Sequence, residues 1–509
     1  MHLHRKLTLT AALAVAFASA TPAIANTFAG RSQSGETYRH ATSGSFNAEI
    51  AAYDAQTRTL WVSGVTGVDV LNVSAGGLSF NSRIDLSTFG AINSIAIHNG
   101  IAAFAIENTV NRESPGIVQF YNTSTRSLTG GINSVTVGSL PDMLTFTADG
   151  SKLLVANEGT PGSYPSLTDP VGGVSIIHMA DRSVTHVSLG GSIPTTGSGL
   201  RSGLPFNYEP EYIAVNQAGT RAWVTLQEHN AIASLDLTTN QFTGITGLGL
   251  KDYSQTRNAI DSTDRPTATP PVIALTTVNL KGAYQPDSVV AYEAGGKTFL
   301  VMANEGDAQE NDGDVARASS IDGLGFTGDA GRINVIKDLS SVGNVVTMGG
   351  RSFSIRDADG NIVFDSGNIL EAEAIARGIY DDGRSDDKGV EPEGVALQTI
   401  NGRTYAFIGL ERTTKGAVAV FDITVPAGAS FVDMIVTNGT NRPEGLVSFA
   451  QDGRFFLAIS NEGLGNASAT GMGTALYNLA PVPEPETWAM LLAGLGILGL
   501  RARRQKSRA

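Results

Sequence analysis

The stretch Pro392-Glu393-Gly394-Val395-Ala396-Leu397 runs through Asn401-Gly402 into Tyr405-Ala406-Phe407-Ile408-Gly409-Leu410-Glu411. Two apolar runs joined by an Asn-Gly turn form a β-hairpin pattern, and an acid marks each outer end. The same unit occurs five times: Pro141-Asp142 with Asn157-Glu158, Pro210-Glu211 with Gln227-Glu228, Pro286-Asp287 with Asn304-Glu305, Pro392-Glu393 with Leu410-Glu411, and Pro443-Glu444 with Asn461-Glu462. From proline to second acid the spacing is 17, 18, 19, 19 and 19 residues, narrow enough for one structural unit. Two eroded copies precede them, Asn47–Ser63 with Glu49 and Ile92–Glu107 with its terminal Glu107.

Seven hairpins, with room between copies for two more strands, predict an all-β fold: a seven-bladed β-propeller with long loop insertions. Steps of 45, 48 and 51 residues between copies match a four-stranded blade of about 40–50 residues. Longer steps of 69, 76 and 106 place insertions at 241–283 and 306–390, expected to crown one face. A six-bladed propeller or a β-solenoid is the structural alternative.

In a hairpin the start of the first strand and the end of the second lie together, so each unit's two acids meet near one rim. Closing the ring then gathers Asp142, Glu158, Glu211, Glu228, Asp287, Glu305, Glu393, Glu411, Glu444 and Glu462 around a common funnel. Asp307 extends this set in the acidic loop Asp307–Asp314. Like charges coexist there only if a cation or water screens them. Oxygen donors, without cysteine and without clustered histidine, select calcium or magnesium over zinc or copper. The alternative is that each Pro-acid pair only starts a strand and each Asn-Glu-Gly only caps and turns. Asp357-Ala358-Asp359-Gly360-Asn361 partly imitates a calcium loop, but Asn368 stands where a bidentate Glu is needed, so it reads as a hairpin turn.

Composition narrows the function further. The chain has 509 residues, no cysteine and 59 glycines. Disulfides, thiolate metal sites and cysteine nucleophiles are therefore excluded. Between residues 26 and 480 there are 28 basic and 46 acidic residues, a net charge of −18. Such a surface repels nucleic acid and anionic lipid and attracts divalent cations. Nucleic acid is not an expected partner.

Both ends carry addresses. Residues 1–25 run from Arg5 and Lys6 through apolar Leu7–Ala20 to Ala23-Ile24-Ala25, the three parts of a signal peptide cut by signal peptidase before Asn26. At the other end Val482-Pro483-Glu484-Pro485-Glu486 precedes an apolar run, Trp488–Leu500, and five basic residues from Arg501 to Arg508. The run predicts a short apolar helix, well under the ~20 residues that span a bilayer, so the membrane anchoring it supports is transient. Residues 481–509 closely resemble the PEP-CTERM sorting signal of exopolysaccharide-producing Gram-negative bacteria. That resemblance implies removal of the tail by an exosortase and delivery of the 26–480 body to the cell surface, outer membrane or extracellular matrix, after an inner-membrane stage.

A second resemblance concerns the body. Ala303-Asn304-Glu305-Gly306-Asp307, Arg351-Ser352-Phe353-Ser354-Ile355, Phe364-Asp365-Ser366-Gly367, Arg384-Ser385-Asp386-Asp387-Lys388-Gly389, Glu391-Pro392-Glu393-Gly394-Val395 and Tyr405–Arg412 occur in order. They resemble the choice-of-anchor I domain, also found in mesenchyme-specific cell-surface glycoproteins and in bacterial alkaline phosphatase-like proteins. The resemblance covers most of 40–480 and departs from the pattern after Glu462, where Gly463–Gly473 is a small-residue loop. It implies an exported β-propeller without fixing a reaction.

Two functions follow. The first is a surface or matrix propeller that binds calcium and an exopolysaccharide, mineral or protein partner. The second is a calcium-dependent phosphoric-ester hydrolase, in which Arg384, Lys388 and Arg412 clamp the phosphoryl group beside the metal; the alternative for Arg384–Lys388 is a structural salt-bridge loop. Scattered histidines and the absence of a Gly-x-Ser-x-Gly elbow count against the second. Deleting Val482–Ala509 should release the body from the membrane fraction; a truncated chain that still sediments with membranes would contradict the reading of the tail.

Overall fold

The computed structural model describes residues 31–40, 48–160, 168–204, 206–264, 272–308, 313–463 and 471–479. The leader and the C-terminal apolar helix expected from sequence lie outside these residues. Each of the seven hairpins opens a sheet of its own. The first sheet is Ala51–Asp54, Thr59–Ser63, Gly67–Ser74 and Gly77–Asp85; the second is Ala91–His98, Ile101–Glu107, Pro115–Asn122 and Ser134–Ser139, with Ser127–Leu128 attached. Pro141–Phe146, Lys152–Asn157, Gly173–His178 and Val184–Ser188 make the third. The fourth is Ile213–Val215, Arg221–Leu226, Ala231–Asp236 and Gln241–Leu248, extended by parallel Thr195–Ser198. Val289–Ala294, Lys297–Asn304, Ser352–Asp357 and Ile362–Asp365 form the fifth, and Pro392–Ile400, Arg403–Leu410, Gly416–Asp422 and Ser430–Thr437 the sixth. In the seventh, Pro443–Gln451, Arg454–Asn461 and Gly473–Leu479 are joined by N-terminal Ser32–Gln33, which pairs with Tyr477 and Asn478.

The core is divided among the sheet interfaces. Trp61 and Phe104 pack between the first and second sheets, and Phe120 and Leu153 between the second and third. Ile176 and Val224 fill the next interface, Trp223 and Met302 the one after it, and Phe353 and Phe421 the one between the fifth and sixth. Phe407 and Leu457 join the sixth to the seventh. Phe456 and Leu60 then join the seventh back to the first, so the packing order is cyclic. Both faces of each sheet are thereby buried, which is why the second and third strands read as continuous apolar runs such as Phe407-Ile408-Gly409-Leu410.

The Pro-Glu-Gly triplets have a packing reason. A Cβ on Gly394 would lie 2.3 Å from the Glu444 carbonyl oxygen, and one on Gly445 would lie 2.3 Å from that of Glu49. Only glycine lets the first strands of neighbouring sheets touch there.

The insertions differ from the expected spans. Gln241–Leu248 is the fourth strand of the fourth sheet, between Ala231–Asp236 and the edge strand Thr195–Ser198, and Ser352–Asp357 with Ile362–Asp365 completes the fifth. Ser352–Asp357 pairs with Lys297–Asn304 across the long insertion, whereas Gln241–Leu248 directly follows its partner Ala231–Asp236 and Ile362–Asp365 directly follows Ser352–Asp357. The remaining inserted chain makes two small sheets, one from Leu250–Asp252, Lys281–Ala283 and Val346–Thr347 and one from Val315–Arg317 and Asn334–Ile336, and the helix Ile369–Ala376. As expected, Asp357 anchors a hairpin turn, accepting the backbone N–H groups of Asp359 and Asn361.

Gly394→Ala should destabilise the fold by about 1–3 kcal/mol, the usual cost of overpacking against unyielding backbone. Gly130→Ala, where an added Cβ meets nothing within 4 Å, should leave the melting temperature unchanged.

Candidate functional site

The acids stand at the proline ends of the hairpins. Pro141 pairs with Asn157, Pro392 with Leu410 and Pro443 with Asn461, and in each case the register slips just after the acid. Such a bulge turns the strand locally and re-aims the side chain it carries. The residues before four of the prolines, Leu140, Gln285, Glu391 and Arg442, all hold positive φ, between 45° and 55°. A non-glycine residue in this region costs on the order of 1–3 kcal/mol, and four repeats of it at one position mark a built feature.

The Asn of each Asn-Glu pair is structural. Asn157 donates to the Gly173 carbonyl at 3.2 Å and Ser175 Oγ at 3.0 Å, and Asn461 donates to the Gly473 carbonyl at 3.1 Å. These bonds lock the second strand to the third and leave the following Glu facing inward.

The five hairpins bring their acids together. Glu211 is held near Glu158, Glu228, Asp142 and Asp287, while Glu393 is held near Glu444, Glu411, Glu305 and Asp287. Tyr212 stands among them and feels Asp287, Glu444, Asp142 and Glu393, carboxylates from four other hairpins. Tyr212 and Glu444 also line a cavity of about 340 Å³ whose walls come from six of the seven sheets, with Ile50, Met143, Val289 and Gly394 among them. Both side chains are half-buried on their surfaces yet enclosed by protein, because they face this cavity.

Burial and crowding disfavour ionisation. Burial first, then Glu158, pushes the Asp142 carboxyl up to about 8; burial and then Glu305 push Glu411 up to about 7. Glu211, Glu228, Asp287, Glu393 and Glu444 are all pushed well above the carboxylate range by burial, with neighbouring acids adding to it. Glu158 and Glu462 are raised by burial as well, and arginines oppose the shift at Glu462.

Two clusters divide the rim. In the first, Asp142, Glu158 and Glu211 offer oxygens that all lie within 4.8 Å of one another. Beside it Glu228 is 7% exposed, and its Oε2 has no hydrogen-bond partner. In the second, Glu305, Glu391 and Glu411 are equally close. Here the protein supplies its own cations. Lys388 Nζ lies 2.6 Å from Glu305 Oε1 and 3.1 Å from Glu391 Oε2. Arg384 lies 2.7 Å from both Glu391 and Asp387, and Arg412 lies 3.0 Å from Glu411. Burial opposes the charge on Lys388, but Glu305, Asp307 and Glu391 outweigh it and hold the ammonium well above its usual value. Asp307 itself lies 4.0 Å from Lys388, at the edge of this second cluster.

The loop that carries Arg384 and Lys388 is fixed from below. Buried Arg351 donates to the carbonyls of Ser385 at 2.9 Å and Asp387 at 2.8 Å, and lies 3.2 Å from buried Glu371. Glu391 and Glu209 were not singled out as ligands from sequence. The signal was present, since Glu209-Pro210-Glu211 and Glu391-Pro392-Glu393 place an acid on both sides of the proline.

An all-β, propeller-like body with an acid-lined inner rim is the class these features define. The chain belongs to the choice-of-anchor I domain family, whose model matches residues 49–426, and residues 481–505 match the PEP-CTERM protein-sorting motif. It is thus an exported, surface-associated bacterial protein. No curated protein matches it. Among solved structures it is similar to hydrazine synthase of Kuenenia stuttgartiensis, at 9% identity and TM-score 0.47, covering 83% of this chain and 95% of that one. The WD40 domain of Neurospora crassa Pan2 is similar at 11% identity and TM-score 0.45, covering 89% and 97%. The β-propeller domain of Myceliophteria thermophila Cps50 (Swd1) is similar at 9% identity and TM-score 0.43, covering 87% and 100%.

Carboxyls whose folded-state values are raised hold protons that the unfolded chain has lost, so stability falls as pH rises from about 4, the unfolded value, to about 8. Without divalent cations the melting temperature should be higher at pH 5 than at pH 8. A flat or opposite profile in chelator would contradict this description of the rim.

Proposed function

We propose that the chain is an exported surface β-propeller whose seven sheets are the blades of a closed ring and whose rim holds a divalent cation that mediates attachment to a polymer or protein partner. The cyclic packing of the sheets and the N-terminal strand in the seventh support the blade count and the closure. One observation carries the cation: Asp142, Glu158 and Glu211 converge within 4.8 Å beside the buried, unpartnered Glu228 Oε2.

The donors fit a hard ion. Four carboxylates supply oxygen only, and calcium accepts six to eight oxygens in a flexible arrangement, where magnesium demands a stricter octahedron. A divalent ion here would let these carboxyls ionise, replacing mutual repulsion with attraction. Carboxylates or hydroxyls of a surface polymer can complete the coordination from the open side. The second cluster has the same acids but is already neutralised by Lys388, Arg384 and Arg412. That arrangement favours binding over ester hydrolysis, since the cations needed to clamp a phosphoryl group spend their charge on Glu305, Glu391 and Glu411.

Calcium at about a hundred times its dissociation constant stabilises a folded protein by about 2.7 kcal/mol, which here should raise the melting temperature by a few degrees. Glu211→Gln, which keeps the shape and removes the charge, should abolish most of that rise. Glu462→Gln, on the far side beside Arg442, should keep it. An unchanged melting curve of the unaltered protein over millimolar calcium would overturn the cation assignment.

A further inference from the structure

Strand direction in the seventh sheet fixes where the anchor leaves the body. Asn461, next to rim residue Glu462, pairs with Gly473, while Phe455, beside the Asp452-Gly453 turn, pairs with Leu479. Leu479 therefore ends its strand at the turn end of the hairpin, opposite the acids. The sorting motif begins at residue 481, directly beyond it. Ser32 pairs with Asn478, so the N-terminal strand enters at the same end.

The tether is short. Ala480–Thr487 contains three prolines and separates Leu479 from the apolar run Trp488–Leu500. The nine steps from Leu479 to Trp488 reach about 32 Å at most, at about 3.6 Å each. The first strand of the same sheet, Pro443–Gln451, has nine residues and rises about 27 Å over its eight steps. For the rim to touch the bilayer, a fully stretched tether would have to climb the whole sheet, leaving about 5 Å to round the body and enter the membrane. The turn face needs no such climb.

Charge does not oppose this placement, since the turn ends carry charges of both signs, with Arg58 2.8 Å from Asp452 and Arg403 3.0 Å from Asp422.

From these constraints we infer that the anchored chain stands on its hairpin-turn face and presents the acidic rim away from the membrane, to ligands of the aqueous side and not to the lipid surface. The significance of the rim rests on the cation-binding reading above, but its orientation does not. Before the tail is removed, the site is already open to soluble ions and to polymer, so attachment does not have to wait for release.

The chain has no cysteine, so single labels are clean. Lys297, exposed at the turn end of the fifth sheet, and Lys415, exposed at the rim end of the sixth, are suitable positions. Lys297→Cys and Lys415→Cys, each carrying a donor dye in a chain that retains its C-terminal segment, are placed in phosphatidylglycerol-containing vesicles with an acceptor lipid and no added divalent cation. Energy transfer should be clearly stronger from position 297 than from 415. Ser151→Cys and Thr414→Cys repeat the comparison at exposed turn and rim sites. Equal or reversed transfer in both pairs overturns the orientation, as does a chain that fails to associate with the vesicles. Because no calcium is present, a failed calcium-stabilisation test and a failed orientation test are separate results.

Discussion

Carboxyl groups enclosed together cannot all ionise without a counter-charge, and the structure of this protein is organised around that constraint. Asp142, Glu211, Asp287, Glu393 and Glu444 each come from a different hairpin and each raises the cost of ionising its neighbours. The rim meets the constraint in two ways. Around Glu305, Glu391 and Glu411 the chain inserts Lys388, Arg384 and Arg412. Around Asp142 and Glu158 the cation acting on the acids is Arg112, which itself lies 3.6 Å from Glu107. The same chemistry is thus self-neutralised on one side, and the other is where we propose an external ion.

The backbone makes this concentration of charge unavoidable. Positive φ before the proline and the bulge after the acid aim the first carboxylate inward, and the buried Asn holds the strand that carries the second. Gly394 and Gly445 bring adjacent first strands into contact, which shortens the distance between acids of neighbouring sheets. Burial on both faces of the sheets provides the stability against which this repulsion is held, since apolar surface is worth roughly 25 cal/mol per Å² and the core repeats at every interface. Buried charge of this kind is costly and persists where the surrounding structure over-determines it.

Much of this was legible in the chain. The five Pro-acid hairpins could be read because proline, acid and turn recur at nearly constant spacing, and their gathering at one rim follows from hairpin geometry. The two eroded copies, recognised by their apolar runs and one acid each, Glu49 and Glu107, also open sheets; Asn93 sits where the first acid of the second sheet would stand, and donates to the Pro141 carbonyl at 3.1 Å. Other features were out of reach. Ser352–Asp357 looked like loop because its partner Lys297–Asn304 lies far back in the chain, and Gln241–Leu248 because Gly244 and Gly247 interrupt its apolar pattern although it pairs with the strand just before it. Sequence proximity of Arg384, Lys388 and Arg412 to acids left a phosphate clamp and a structural salt-bridge loop both open, and only the distances place these cations on Glu391, Glu305 and Glu411. Which carboxylates are paid by lysine and arginine and which are left bare is a matter of side-chain geometry, and no spacing rule encodes it.

Tyr212 supplies a direct probe of the central claim, because its ring stands among the rim carboxylates of four other hairpins. Terbium, a hard ion that takes calcium sites and emits when a nearby aromatic ring is excited, should luminesce on binding the body. Calcium should quench that emission by displacement, and Tyr212→Phe should remove most of it while the fold is kept. Absence of sensitised emission in the unaltered protein, or emission that calcium does not displace, would contradict a divalent cation at this rim.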